Sequence, residues 1–204
     1  MHPIERLRFV ARAEGVPGEV LAVEAASALM TFADDPAALV AASRRVLSRQ
    51  VSCGPLWWVC ARMLTADRIR DAGLQSIDLL ESDTTGAAGS LALDLRGDAP
   101  APVMVQALAV GDGGAVVVAP QWEALSSHRG DDNPRWLVGG VGCRLSDPMW
   151  SSLVEHWSTT PRRGEDLVPL DAFTHLVGPD GPVPIEALGP PDCPVAPELF
   201  RLVG

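Results

Sequence analysis

The feature that most constrains how this chain can fold is a change of hydrophobic pattern near residue 82. Before that point, apolar residues recur at helical spacing in five segments, at residues 4–13, 19–33, 36–49, 55–64 and 66–80. After it, apolar runs of strand length alternate with helical patterns, as in a parallel sheet covered on both faces. The sequence therefore predicts an α/β fold, with an N-terminal helical subdomain followed by a small Rossmann-like parallel sheet domain.

The predicted boundary between the two parts is a small, polar, glycine-rich stretch. Residues 82–90 read Ser-Asp-Thr-Thr-Gly-Ala-Ala-Gly-Ser, a composition that favours a loop. We therefore predict a helical subdomain over residues 1–82, a linker over 83–90, and a Rossmann-like α/β domain with a proline-rich tail over 91–204.

Apolar runs and helical periodicity predict the elements of the second part. Strands are expected at residues 91–95, 115–119, 136–141, 167–170 and 176–177. Helices are expected at residues 102–110, 121–127 and 148–157, with a short one at 171–175. The run Gly111-Asp112-Gly113-Gly114 precedes a valine-rich strand, whereas a phosphate-binding loop follows one, so we interpret it as a turn.

Composition and charge exclude several classes of function. The net charge is −10, and residues 71–204 carry nineteen acidic residues against seven arginines. A surface this acidic argues against nucleic-acid binding. The chain has no long uncharged apolar run and no apolar N-terminal segment, so we expect no membrane span, no secretory signal and a cytoplasmic location. It also lacks dinucleotide-binding and P-loop motifs and any zinc-ligand spacing, so we expect no cofactor and no metal.

The most informative single stretch is residues 51–64. Ser52, Cys53 and Gly54 form a small loop, and Pro55 then opens an apolar helix that contains two adjacent tryptophans. Backbone N–H groups at a helix N-terminus can bind an anion. The stretch is therefore either a ligand loop or a buried helix start. Two adjacent tryptophans cannot both face one core, so we expect one of them to pack on the second subdomain or on a partner.

A second candidate site follows the strand predicted at residues 136–141. Glycines there permit close backbone approach, and Arg144 is positioned to meet an anion at the carboxyl end of the strand. The alternative is a tight strand exit packed against a neighbour. Cys143 and Cys53 are candidate nucleophiles, but no histidine lies near either of them in the sequence. We interpret the cysteines as reduced structural thiols, and none of His2, His128, His156 and His175 has a catalytic spacing.

Residues 48–58, followed by Ala61-Arg62-Met63-Leu64, resemble the segment Arg-Pro-Thr-Ala-Val-Asn-Leu-Phe-Trp-Ala with its downstream Arg-Met. That segment marks methylthioribose-1-phosphate and ribose-1,5-bisphosphate isomerases and the regulatory subunits of translation initiation factor 2B. Residues 167–177, with the following Asp-Gly, resemble the closing segment of the same family. The two ends, His2–Arg8 and Asp192–Phe200, also resemble a set of actinobacterial proteins. The resemblance implies a helical domain, then a Rossmann-like domain through which members often dimerise.

The departures from the family pattern bear on activity. The isomerases use a cysteine after a central strand and an aspartate in an Ala-Asp segment followed by Asn-Lys, and neither is found at the matching positions here. The arginine of the family segment aligns with Gln50, and its asparagine aligns with Pro55. Typical members are longer, so part of the sheet is expected to be deleted between about residues 82 and 115. The resemblance therefore implies a shortened, degenerate member of the family.

Three functional hypotheses remain open at this point. The first is a non-catalytic regulatory or interaction protein. The second is a sugar-phosphate or nucleotide binder, and the third is an active isomerase that uses Cys143 or Cys53. The partners that these hypotheses allow are a second copy of the chain, a small phosphorylated ligand or another protein. The candidate ligand-binding residues are Arg49, Ser52, Cys53, Gly54 and Arg144.

Overall fold

The computed structural model describes residues 2–96, 100–126, 133–159 and 162–202. Its helices are α1 (Pro3–Arg12), α2 (Gly18–Leu29), α3 (Pro36–Leu47), α4 (Gly54–Thr65), α5 (Ile69–Glu81), α6 (Thr85–Asp94), α7 (Ala119–Ser126) and α8 (Asp147–Thr159). Its strands are β1 (Val103–Gly111), β2 (Gly114–Val118), β3 (Arg135–Val138), β4 (Glu165–Pro169), β5 (His175–Gly178) and β6 (Gly181–Pro184).

Helices α1 to α5 confirm the predicted N-terminal helical region. The Asp35 carboxylate accepts a hydrogen bond of 3.0 Å from the Ala38 N–H, which caps α3 ahead of its first-turn proline. Helix α4 contacts α2, α3, α5 and β1, so most of its surface is covered. These contacts explain why its sequence is predominantly apolar and not apolar along one stripe alone.

The six strands form one sheet in the order β4-β2-β1-β3-β5-β6. The inner strands β1, β3 and β5 are parallel, whereas β2, β4 and β6 run antiparallel to their neighbours. The α/β class is therefore confirmed, but the sheet is mixed rather than wholly parallel. The predicted turn at residues 111–114 is confirmed, with Gly113 at a φ of 80°. Because that turn is so short, β2 can only return antiparallel to β1.

Residues 83–95 differ from their prediction. They were expected to be a linker followed by a strand, but residues 85–94 form helix α6. The apolar run at residues 91–95 follows a series of small residues, and small residues let a helix pack closely against a surface. A Cβ on Gly89 would lie 3.3 Å from Met104 Cε and 3.4 Å from Val177 Cγ1, so the glycine lets α6 lie close to the sheet. Strand length alone did not distinguish this run from a helix end.

The helix predicted at residues 102–110 is also wrong, because these residues form β1. This strand lies between β2 and β3 in the sheet and supplies hydrogen bonds to both. Its β-branched residues Val103 and Val105, followed by the Asp-Gly turn, are typical of a hairpin strand. The strand prediction near Trp136 is confirmed over Arg135–Val138, and the strands predicted near residues 167 and 176 are confirmed as β4 and β5.

Apolar side chains bury both faces of the sheet. On one face a large cluster joins α1 to α5 and α8 with side chains of β1 and β2, and it includes Ala196 and Leu199 of the tail. On the other face a smaller cluster includes Val105, Val117 and Leu137, with Trp122 of α7 packed against it. Within the described residues, none of the helices has the length and apolar character needed to cross a membrane.

Candidate functional site

The loop before α4 is held in the interior by a close backbone approach. A Cβ on Gly54 would lie 2.8 Å from the Leu108 carbonyl oxygen and 3.0 Å from the Cys143 carbonyl oxygen. The absence of a side chain at this position therefore lets the N-terminus of α4 rest directly on β1 and on the loop after β3. As a result Ser52 and Cys53 are at most 8% exposed. Of the two interpretations of this stretch, the buried helix start describes its geometry.

Both tryptophans of α4 are buried, and they face different surroundings. Trp57 donates a hydrogen bond of 2.7 Å from Nε1 to the Val51 carbonyl within the helical core. Trp58 packs against Gly142, where a Cβ would lie 3.1 Å from its ring, and its indole N–H donates to the Asp192 carbonyl of the tail. Trp58 therefore packs on the second part of the chain as expected, but both tryptophans belong to one buried cluster, so the premise that they cannot share a core is wrong.

A carboxylate from the chain itself lies beside this loop. Glu165, at the start of β4, accepts a hydrogen bond of 2.7 Å from the Ser52 hydroxyl through Oε1. Its Oε2 accepts another of 3.0 Å from Trp157 Nε1 on α8. The pKa of Cys53 is raised mainly by burial, and the Glu165 charge adds to this rise. An internal carboxylate thus accepts the hydrogen bond of Ser52, one of the residues that were predicted to meet a ligand.

Gln50 forms a second internal link at the same loop. Its Nε2 donates to the carbonyls of Val10 (2.8 Å) and Ala13 (2.9 Å) at the end of α1. Its Oε1 accepts a hydrogen bond of 2.9 Å from Arg162 Nη1. The buried amide therefore satisfies both helix-end carbonyls and an arginine, and this position is the one that aligns with the family arginine.

Only part of the predicted ligand-binding set is brought together. Ser52, Cys53 and Gly54 lie in the same buried loop, whereas Arg49 is exposed one turn earlier. Arg144 follows the loop that touches Gly54, but its guanidinium donates to the Gly189 carbonyl of the tail. Burial lowers the pKa of Arg144. Ligand binding by these five residues stays a prediction.

The cysteines are buried thiols. Burial is the largest cause of the shift at each one, and it raises the pKa of Cys53 and Cys60 to about 12 and that of Cys193 to about 11. The pKa of Cys143 is raised further, mainly by the same burial. A nucleophilic cysteine needs a lowered pKa and access to substrate. Neither condition holds for any of these thiols at neutral pH.

We expect these thiols to make the protein lose stability at alkaline pH. The folded-state pKa of each thiol is raised above 9.0, so the folded protein holds protons that the unfolded chain releases. Each thiol contributes its full stabilisation below pH 9. Above pH 9 the free energy of unfolding falls by about 1.4 kcal/mol per pH unit for each thiol. The chain contains neither lysine nor tyrosine, so few other side chains titrate in this window.

Urea unfolding between pH 8 and 10.5 measures this effect, and a Cys60→Ala variant provides the comparison. Because the variant has one thiol fewer, its free energy of unfolding should fall less steeply with rising pH than that of the wild type, and the difference is the contribution of one thiol. Equal slopes in the two proteins, or a flat profile in the wild type, would contradict the assignment.

The three histidines that the structure describes lie apart from this loop and from one another. His2 accepts a hydrogen bond of 3.3 Å from the Ile4 N–H at the start of α1, and His156 lies beside the tail near Leu202. His175 packs on Trp136 with ring centroids 5.3 Å apart, and His128 lies outside the described residues. Within the described ranges, no group of three or more histidine, cysteine or acidic side chains is placed to hold a metal ion.

Sequence reasoning missed the residues that fill the loop. Glu165 and Trp157 are 113 and 105 positions from Ser52, and no local pattern marks either of them. Only Gln50 gave a signal, because it stands where the segment that the sequence resembles has an arginine. A long polar side chain within a buried segment needs a partner, and this requirement points to a contact without identifying it.

Comparisons with known proteins place the fold. A scan against protein-family models and a search of curated proteins both gave no match. Among solved structures, eIF2B beta from Chaetomium thermophilum matches with a TM-score of 0.62 and 12% sequence identity. The chain has an eIF2B-like fold. The match covers 90% of this chain and 88% of that one.

Replacing Glu165 tests the internal contacts of the loop. We expect Glu165→Ala to lower the free energy of unfolding by about 1–3 kcal/mol, because the Ser52 hydroxyl and the Trp157 indole N–H both lose their acceptor. The exposed Glu186 provides the control, and Glu186→Ala should change stability by less than about 0.5 kcal/mol. Urea unfolding at pH 7 measures both, and equal effects would show that the Glu165 contacts are not stabilising.

Proposed function

We propose that this protein is a non-catalytic regulatory or interaction protein of eIF2B-like fold that works in the cytoplasm. The observation that supports this function is the filled loop before α4, where Glu165 accepts the hydrogen bonds of Ser52 and Trp157. In a protein that binds a substrate at this loop, those donors would have to be free. Here they stabilise the contact between β4, α8 and the helical region.

The chemistry required for isomerisation supports the same proposal. General acid–base or nucleophilic catalysis needs a titrating group within reach of the substrate, with its pKa tuned toward neutral pH. The two cysteines nearest the loop, Cys53 and Cys143, are at most 8% exposed and have pKa values raised by burial. Purified protein should therefore leave sugar 1-phosphates unchanged, and isomerisation of any of them would contradict the proposal.

Helix α6 offers the surface for an interaction. Leu91 lies on it and Leu95 is its C-cap residue one turn later, and they are 59% and 78% exposed. The helix packs on β5 and β6, and β6 is an edge strand whose prolines prevent a further strand from pairing along it. Association would then use the leucines rather than the sheet edge. A second copy of the chain presents the same leucines, which fits a two-fold symmetric contact.

Sedimentation velocity tests this contact. The wild type should sediment as a dimer, and a Leu91→Glu/Leu95→Glu variant should sediment as a monomer with an unchanged circular dichroism spectrum. Leu74, which is 54% exposed on α5, provides the control, and Leu74→Glu should remain dimeric. A monomeric wild type, or a variant that still dimerises, would remove the second copy as the partner.

The second candidate function is binding of a sugar phosphate or nucleotide at the same loop. The observation that favours it is that the loop already accommodates an anion, the Glu165 carboxylate. A phosphate that displaced this side chain would meet Ser52 and the N-terminus of α4. Ligands at millimolar concentration should then raise stability by about 1–3 kcal/mol if the dissociation constant is tens of micromolar. The absence of any thermal shift with ribose phosphates and nucleoside monophosphates would exclude this function.

A further inference from the structure

A pocket at the opposite end of α4 lies outside the loop described above. It has a volume of about 430 Å³ and opens to solvent between the end of α4, helix α5 and the tail. A volume of this size falls within the range of small-molecule sites. Its lining residues are Arg62, Thr65, Ala66, Ala72, Gln75, Pro191, Asp192, Cys193 and Pro194. This wall is largely apolar or neutral, and it contains a single basic group.

Arg62 is the basic group of the pocket, and the fold holds its side chain in place. The guanidinium carbon lies 4.7 Å from the centroid of the Trp58 ring, and Nε donates a hydrogen bond of 3.2 Å to the Ser76 hydroxyl. The side chain is only 20% exposed. An arginine fixed by stacking and by its Nε presents the two terminal nitrogens as a fork, at little further cost in side-chain entropy.

Only one acidic side chain pairs with this fork among the described residues. Asp192 Oδ2 lies 3.3 Å from Arg62 Nη1, and the Asp192 side chain is 84% exposed. A single contact from so exposed a side chain contributes little, because water competes for it. The tail backbone is held independently, since the Asp192 carbonyl accepts the Trp58 indole N–H. The carboxylate of Asp192 can therefore swing away while the pocket stays formed.

The charge and lining of the pocket select the kind of anion. A carboxylate matches the two N–H donors at the end of a guanidinium. A dianionic phosphate is disfavoured, because the pocket contains one arginine, Asp192 lies beside it and the chain carries a net charge of −10. The prolines and alanines of the wall offer apolar contact to a short hydrocarbon group. We propose that this pocket binds a small aliphatic carboxylate through Arg62, with the Asp192 carboxylate as its internal competitor.

Nuclear magnetic resonance titration of the full chain tests the proposal, with isobutyrate as the probe and the Trp58 indole N–H signal as the reporter. We expect a saturable shift with a dissociation constant of about 1–10 mM, typical of a weakly held small ligand. Inorganic phosphate and chloride at equal ionic strength should give no saturable shift. Phosphate that bound more tightly than isobutyrate would overturn the assignment of a carboxylate.

Two variants and a control locate the binding group. Arg62→Met should weaken isobutyrate binding at least tenfold, whereas Asp192→Asn should strengthen it about fivefold by removing the competing charge. Arg68→Met removes an arginine that is 85% exposed and should leave binding unchanged. Unchanged affinity in Asp192→Asn, or wild-type affinity in Arg62→Met, would overturn the proposal. Should Arg62→Met fail to fold, the Asp192→Asn result decides it, because that side chain lies at the surface.

Discussion

A Gly54→Ala variant is expected to lose about 3 kcal/mol of the free energy of unfolding, or to fail to fold. The added methyl group would lie 2.8 Å from the Leu108 carbonyl oxygen and 3.1 Å from Ala109 Cα. Both are backbone atoms of β1, so no side chain can rotate away to make room. The start of α4 would have to move off the sheet, and the Ser52 contact with Glu165 would be disturbed with it.

Gly86→Ala is the matched control for this prediction. Gly86 lies in α6, and outside its chain neighbours and the adjacent backbone of that helix no atom lies within 4 Å of the position that its Cβ would take. Alanine should therefore stabilise the protein by about 0.5–1 kcal/mol through its helix propensity. Urea denaturation gives both values. A Gly54→Ala protein as stable as the wild type would show that α4 does not rest on the β1 backbone as described.

Truncation of Trp57 is expected to have the second large effect. The side chain is completely buried, and its indole N–H is bonded to the Val51 carbonyl. Trp57→Ala should lower the free energy of unfolding by about 4 kcal/mol, because it leaves a large cavity and an unpaired carbonyl at the start of α4. Thermal and urea unfolding measure this loss.

Trp122 provides the comparison for the tryptophan prediction. It is half-buried on the far side of the sheet, where its ring packs on Phe173 with centroids 5.7 Å apart. Trp122→Ala should cost about 1–2 kcal/mol, since less apolar surface is lost and the site can relax. Equal losses in the two variants would contradict the central position of α4 in the core.

The helical half could be predicted from the sequence because its signals are local. Helical periodicity, the Asp35 cap and first-turn prolines each specify an element without reference to the rest of the chain. The sheet half was harder, because residues 91–95 and 102–110 are apolar runs of ambiguous period. Whether each run forms a helix or a strand depends on its neighbours in the fold. These neighbours are the sheet under α6 for the first run and the strands on either side of β1 for the second. The Asp-Gly turn after β1 was the local signal that could have identified that strand.

The filled loop could not be predicted, because its contacts join distant parts of the chain. Ser52 meets Glu165, and Gln50 meets Arg162 and the end of α1. The family resemblance implied an arginine at the position of Gln50, and a catalytic acid and thiol that are not found at the matching positions. From these departures we predicted a non-catalytic protein. The structure adds the internal hydrogen bonds of this loop, which join it to β4, to α8 and to the end of α1.

Turnover of sugar 1-phosphates by the purified protein tests the central claim most directly. Methylthioribose 1-phosphate and ribose 1,5-bisphosphate would each be incubated with the wild type and with Glu165→Gln, which removes the internal charge, and followed by phosphorus magnetic resonance. We predict no conversion above the protein-free rate in either sample, because removing the charge supplies neither the acid nor the thiol. Conversion by the wild type that is lost in Cys53→Ser or Cys143→Ser would contradict the account and identify an enzyme.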